Sequence, residues 1–216
     1  IFAENENLSS RMNYYHKPQI SLNHLWAANE KLVISNVLYV SLGNGGGTSP
    51  STAPPMGSDN QIDFQSMYDI NSGNTRTAIF GPPYDPSIDP NYSATEHKTT
   101  QFIRSSINNH RWFGLLSTYN HETSEEITLS GGIDLRHYTG EHYREVYDLL
   151  GGDYYVANDN VAAADSSAVI RKGDKYSYHN DGLVKWAGVF QQMEYKAGNW
   201  TAFANISLSN TGYKRI

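Results

Sequence analysis

Apolar and polar residues alternate along several stretches of the chain with the two-residue period of a strand whose faces meet different surroundings. The clearest stretch is Ile127 to Tyr138, where Ile127, Leu129, Gly131, Ile133 and Leu135 oppose Thr128, Ser130, Gly132, Asp134 and Arg136. Trp200 to Thr211 sets Trp200, Ala202, Ala204, Ile206 and Leu208 against Thr201, Asn205, Ser207 and Ser209, with Phe203 out of step. Between Lys17 and Ala27, Ile20, Leu22 and Trp26 share one parity, and Gln19, Ser21 and Asn23 the other. Leu32 to Leu42 is apolar on both parities, whereas Arg111 to His121 and Leu183 to Tyr195 are mixed and leave their facing unassigned. Together these stretches predict about six antiparallel strands.

The connections alternate strictly between short and long. Ala28 to Lys31, Glu122 to Glu126 and Lys196 to Asn199 read as turns. Long connections are predicted at about 43–110 and 139–181. The Gly43 to Gly47 run reads as the flexible start of the first. Glu141 to Leu150 reads as a short helix in the second, because Tyr143, Val146, Tyr147 and Leu150 fall three or four apart before Gly151 and Gly152. Compact soluble domains rarely contain such long connections. Transmembrane β-barrels do, with tight turns at one rim and extended loops at the other. The expectation is therefore an all-β fold: an antiparallel transmembrane β-barrel segment of about six up-and-down strands, open because it is part of a larger barrel. Trp26, Tyr39, Trp112, Tyr138, Tyr195 and Trp200 fall near strand ends, where interfacial aromatic girdles would lie. The chain starts at Ile1 without a signal segment and stops just past a strand, so residues 1–216 are expected to be a partial barrel.

Composition narrows the functional classes. Only 38% of residues are hydrophobic, and 16 Tyr outnumber 7 Phe and 4 Trp together, a mixture for strands and polar loops rather than helices. The net charge of −6 is dispersed and no basic stretch occurs, so no nucleic-acid partner is expected. Without cysteine, disulfide frameworks and thiolate metal sites are excluded. The Gly43 to Gly47 run lacks the Gly-Lys-Ser/Thr ending of a phosphate loop. His137 and His142, and the acids Asp153, Asp159, Asp165 and Asp174, match no metal-binding spacing, so no metal or cofactor is expected. No catalytic motif appears, and the chain is expected not to be an enzyme.

Several segments resemble, in order, the barrel region of TonB-dependent outer-membrane receptors of the Bacteroidetes type. They are Asn13-Tyr14-Tyr15-His16-Lys17-Pro18-Gln19, Ser21-Leu22-Asn23-His24-Leu25-Trp26 and Gly43-Asn44-Gly45-Gly46-Gly47-Thr48. Ser106-Ile107-Asn108-Asn109-His110-Arg111-Trp112-Phe113-Gly114-Leu115-Leu116 and Gly132-Ile133-Asp134-Leu135-Arg136-His137-Tyr138 belong to the same pattern. So do His142-Tyr143-Arg144, Asp148-Leu149-Leu150-Gly151-Gly152, Asn180-Asp181-Gly182-Leu183-Val184 and Trp186-Ala187-Gly188. The resemblance implies a 22-stranded barrel in the bacterial outer membrane, contacting outer-membrane lipid and importing a nutrient such as a glycan, siderophore or peptide. It implies energy supplied by the TonB complex through an N-terminal plug that this sequence lacks, and a surface lipoprotein as a further partner. The loop tyrosines Tyr84, Tyr92, Tyr154, Tyr155 and Tyr178 are the expected contacts for a polar solute. A secreted lectin-like β-sandwich, binding glycans through the same loops, is the alternative.

Overall fold

A computed structural model of the chain describes residues 8–74, 87–158 and 169–216. The fold is all-β and mostly antiparallel. In chain order the elements are β1 (Asn13–His16), β2 (Gln19–Asn29), β3 (Leu32–Pro50), α1 (Phe64–Asn71), β4 (Ile103–Glu122), β5 (Ile127–Asp148), β6 (Tyr155–Val156), β7 (Val169–Ile170), β8 (Lys175–Ala197) and β9 (Trp200–Arg215). The principal sheet pairs its strands in the order β1, β3, β4, β5, β8, β9, with β2 also on β3, while β6 and β7 form a two-stranded sheet. The described residues form no closed barrel.

The six expected strands are all present as β2, β3, β4, β5, β8 and β9, and β3, β5 and β9 begin at the predicted residues. Their other ends differ. β3 continues to Pro50, β4 begins at Ile103, β5 continues to Asp148 and β8 begins at Lys175, so the long connections are shorter than 43–110 and 139–181. The Gly43 to Gly47 run is strand, not loop, because rings from neighbouring strands fill the space that its missing side chains leave. A Cβ on Gly43 would meet the His110 ring, and one on Gly45 the Tyr15 ring. Glu141 to Leu150 is not a helix: β5 runs through it as far as Asp148, since pairing within the sheet outweighs a short helical spacing. The helix that does form, α1, starts at Asp63, whose carboxylate accepts from the Ser66 amide at 2.9 Å as an N-cap.

Two compact units can be distinguished: Ile1–Tyr15, Gly45–Asn108 and His142–Asn180 form the first, and His16–Asn44, Asn109–Glu141 and Asp181–Ile216 the second. The first has the interior of a water-soluble fold. Phe102, Val146, Leu149, Ala157, Ile170 and Tyr176 are buried together, and Met67, Ile103 and Leu150 form a second cluster. Asn71, at the end of α1, is fully buried. Its amide donates to the carbonyls of Gln101, Leu149 and Leu150, and its Oδ1 accepts from the Thr100 amide. One side chain thus ties the helix to both chain segments that cover the core, and leaves no buried amide atom unpaired.

The second unit is organised differently. Every buried hydrophobic residue among those described belongs to the first unit. In the second, β2 pairs with β3 so that Ile20, Leu22 and Trp26 face Val40, Leu38 and Ile34, and β8 pairs with β9 so that Val189, Met193 and Tyr195 face Leu208, Ala204 and Ala202. These apolar side chains share a sheet face but are not buried beneath other protein. Ile20 is 70% exposed, Ile206 66% and Leu208 69%.

Candidate functional site

Three surfaces carry the functional signal. The first is the apolar face of the second unit. An apolar groove on this unit is lined by Ile20, Leu22, Leu38, Val40, Phe113 and Leu115, and another by Ile133, Leu135, Val189 and Leu208. Within this unit the odd-numbered residues of β4, β5 and β8 lie on this face, which gives the facing that sequence left open for β4 and β8. Polar side chains do occur on it, but within the band they bond to one another. Asn36 lies 3.1 Å from His24 through its Nδ2 and accepts from Ser117 Oγ at 2.6 Å; Tyr119 and Gln191 are joined directly, and Gln191 also donates to the Ser130 carbonyl at 3.2 Å. Polar groups closed off in this way tolerate an apolar surrounding. Trp26, Tyr195 and Trp200, expected in a girdle, lie on this face beside the turns.

The second surface is the opposite face of the same unit. Tyr39, Trp112 and Tyr138, also expected in a girdle, gather here instead of on the apolar face. Trp112 meets Tyr39 edge-on at 6.3 Å and Tyr138 edge-on at 6.0 Å between ring centres. Arg136 binds Asp134 at 2.5 Å, and its guanidinium lies 5.8 Å from the centre of the Trp186 ring. Sequence parity alone could have placed Asp134 and Arg136 here, but not the stacked rings. These contacts depend on which strands become neighbours.

The third surface belongs to the first unit and contains the predicted tyrosines. Tyr84 lies outside the described residues. Tyr92 is 42% exposed and tilts against Tyr154 at 6.3 Å, with Lys98 Nζ 5.5 Å from its ring centre. Tyr154 is buried, and its hydroxyl has no hydrogen-bond partner among the described residues. Tyr155 instead packs on the core ring of Phe102 at 4.7 Å. Tyr178 lies under the Arg144 guanidinium at 5.1 Å. The structure therefore brings Tyr92 and Tyr154 together and places Tyr155 and Tyr178 in other packing environments.

Charged residues that sequence reasoning missed surround the Tyr92–Tyr154 pair. Lys98 binds Asp89 at 2.9 Å, and Arg171 binds Glu96 at 2.9 Å. The hydrogen bond from Lys98 holds the Asp89 carboxyl below its ordinary value and raises the ammonium in return; Arg171 does the same for Glu96. Burial raises the Tyr154 phenol, so the ring stays neutral against its charged neighbours. No signal in the sequence connects Asp89 to Lys98 or Glu96 to Arg171, because the latter partners are brought together by folding across the β6–β7 region.

Comparison with family models, with curated proteins and with solved structures finds no match to this chain.

Proposed function

We propose that the chain is the wall of a larger outer-membrane β-barrel of the TonB-dependent receptor type, serving nutrient uptake without catalysing a reaction. The observation that carries this reading is the contrast between the units: one buries its hydrophobic residues as a soluble fold does, while the other displays them along a sheet face. A monomer in water seldom exposes a contiguous apolar surface this extensive. On Ile127 to Leu135 and Trp200 to Leu208 the apolar parity covers about nine residues, close to the 9–11 that a tilted strand needs to cross hydrocarbon. Hydrogen bonding among the polar groups of that face, and aromatic residues beside the turns, fit the same environment. The polar face, with its Asp134–Arg136 pair and stacked rings, would line the lumen. A lectin-like sandwich would instead require a second sheet over Ile133 and Ile206, which remain 40% and 66% exposed.

Tryptophan fluorescence in bilayers tests the reading, since two tryptophans lie on each face of the second unit. Variants that retain a single tryptophan should be quenched by brominated lipid chains at Trp26 and Trp200, and little at Trp112 and Trp186. Equal quenching on the two faces, or no lipid association at all, would rule out the barrel wall.

A further inference from the structure

In the first unit, β4 and β5 present two arginines on one face of the sheet that have no carboxylate partner among the described residues. Asn108 Oδ1 and His142 Nδ1 lie 2.6 Å apart, so the even-numbered side chains of the two strands share a face at this point. Arg104 and Ser106 stand two and one strand steps from Asn108 on that face, and Arg144 stands one step from His142. Arg104 Nη1 donates to Ser106 Oγ at 2.9 Å, and Arg144 stacks on the Tyr178 ring with its Nε buried and unpaired. The ion pairs of Lys98, Arg136, Arg171, Lys172 and Lys196 involve neither of these two arginines.

This arrangement is unexpected in a chain of net charge −6, which has acids to spare. Cross-strand diagonal neighbours stand roughly 7–8 Å apart, close enough for two guanidinium groups to repel when nothing lies between them. An oxyanion between them removes the repulsion and accepts hydrogen bonds from the guanidinium groups. We infer that Arg104, Ser106, Arg144 and Tyr178 form a binding site for the oxyanion group, carboxylate or phosphate, of a small solute. Each guanidinium offers a planar fork to two oxygens, the Ser106 hydroxyl adds a donor, and the Tyr178 ring fixes the plane of Arg144. The site depends only on the geometry of the first unit, so its test and the bilayer test fail separately.

The full chain in detergent can be titrated calorimetrically with citrate and with inorganic phosphate at constant ionic strength. Saturable binding of either anion is expected, with citrate alone indicating a carboxylate group and phosphate alone a phosphoryl group. Arg104→Gln and Arg144→Gln should each weaken it at least tenfold, Arg144→Lys less, and Arg171→Gln, whose side chain already pairs with Glu96, hardly at all. Absence of saturable binding, or equal losses in Arg171→Gln and the two site variants, would overturn the proposal. Phenylglyoxal labelling of the unaltered chain provides a reading that does not depend on how the variants fold. Bound anion should protect Arg104 and Arg144 while Arg171 remains reactive, and labelling of all three regardless of anion would equally refute the site.

Discussion

At the scale of single residues, the strands are fitted together by glycines that lie beneath rings. Gly43 sits under His110, Gly45 under Tyr15 and Gly114 under Tyr39, and in each case a Cβ would overlap the ring. The glycine thus makes room for a flat aromatic contact between strands that a side chain would block. Gly114→Ala is therefore expected to lower stability by roughly 1–3 kcal/mol through overpacking, and Tyr39→Ala in the same chain should return part of the loss. Denaturant midpoints of the two single variants and the double variant would measure this coupling, and strict additivity would count against it. These pairs also explain why the Gly43 to Gly47 run was illegible. A sequence shows a missing side chain, but not the ring from another strand that takes its place. For the same reason Tyr92 and Tyr154 were legible as loop tyrosines, whereas their partners Asp89 and Lys98 were not.

At the scale of elements, turns were easier to read than strand ends. β3, β5 and β9 begin where expected because short polar connections precede an immediate return to alternation. The distant ends of β3, β4, β5 and β8 continue through polar and glycine-rich segments, where strand character depends on neighbouring strands rather than on alternation. Tyr143, Val146, Tyr147 and Leu150 imitate a helical stripe, yet Val146 is buried with Phe102 and Tyr176 while Tyr147 is exposed. α1 escaped notice because it is only 8 residues long and is secured by Asn71, whose partners lie far along the chain. Parity gives the element-level prediction. On the barrel reading, Ile133→Arg and Ala204→Arg, on the apolar face, should each cost roughly 2–4 kcal/mol on folding into a bilayer. Ser130→Arg and Ser207→Arg, on the other face, should cost much less. Folding titrations in lipid vesicles would compare them, and equal penalties on both faces would contradict the assigned facing.

For the molecule as a whole, β2 and β9 each pair with a neighbour on one side in the described sheet. A free strand edge is tolerable in water only if charged, covered or short, and in hydrocarbon it leaves backbone groups unsatisfied. On the barrel reading these edges are where the remaining wall joins. Sequence conveyed the succession of antiparallel strands through the rhythm of short and long connections, although no single segment carried it.

That rhythm also gives the molecule a direction. Glu30-Lys31, Thr123 to Glu126 and Gly198-Asn199 are the complete links between paired strands at one end, whereas Ser51 to Phe102 and Leu149 to Asp174 join them at the other. Pushing two to four polar residues through hydrocarbon costs far less than dragging across a segment that has its own helix and core. On the barrel reading, a wall built in this way would enter a vesicle turn-first and leave its bulky segments on the side to which it was added. In vesicles to which the protein is added from outside, an external protease should therefore cleave within 51–102 and spare the three turns, and cleavage at the turns would show that insertion runs the opposite way.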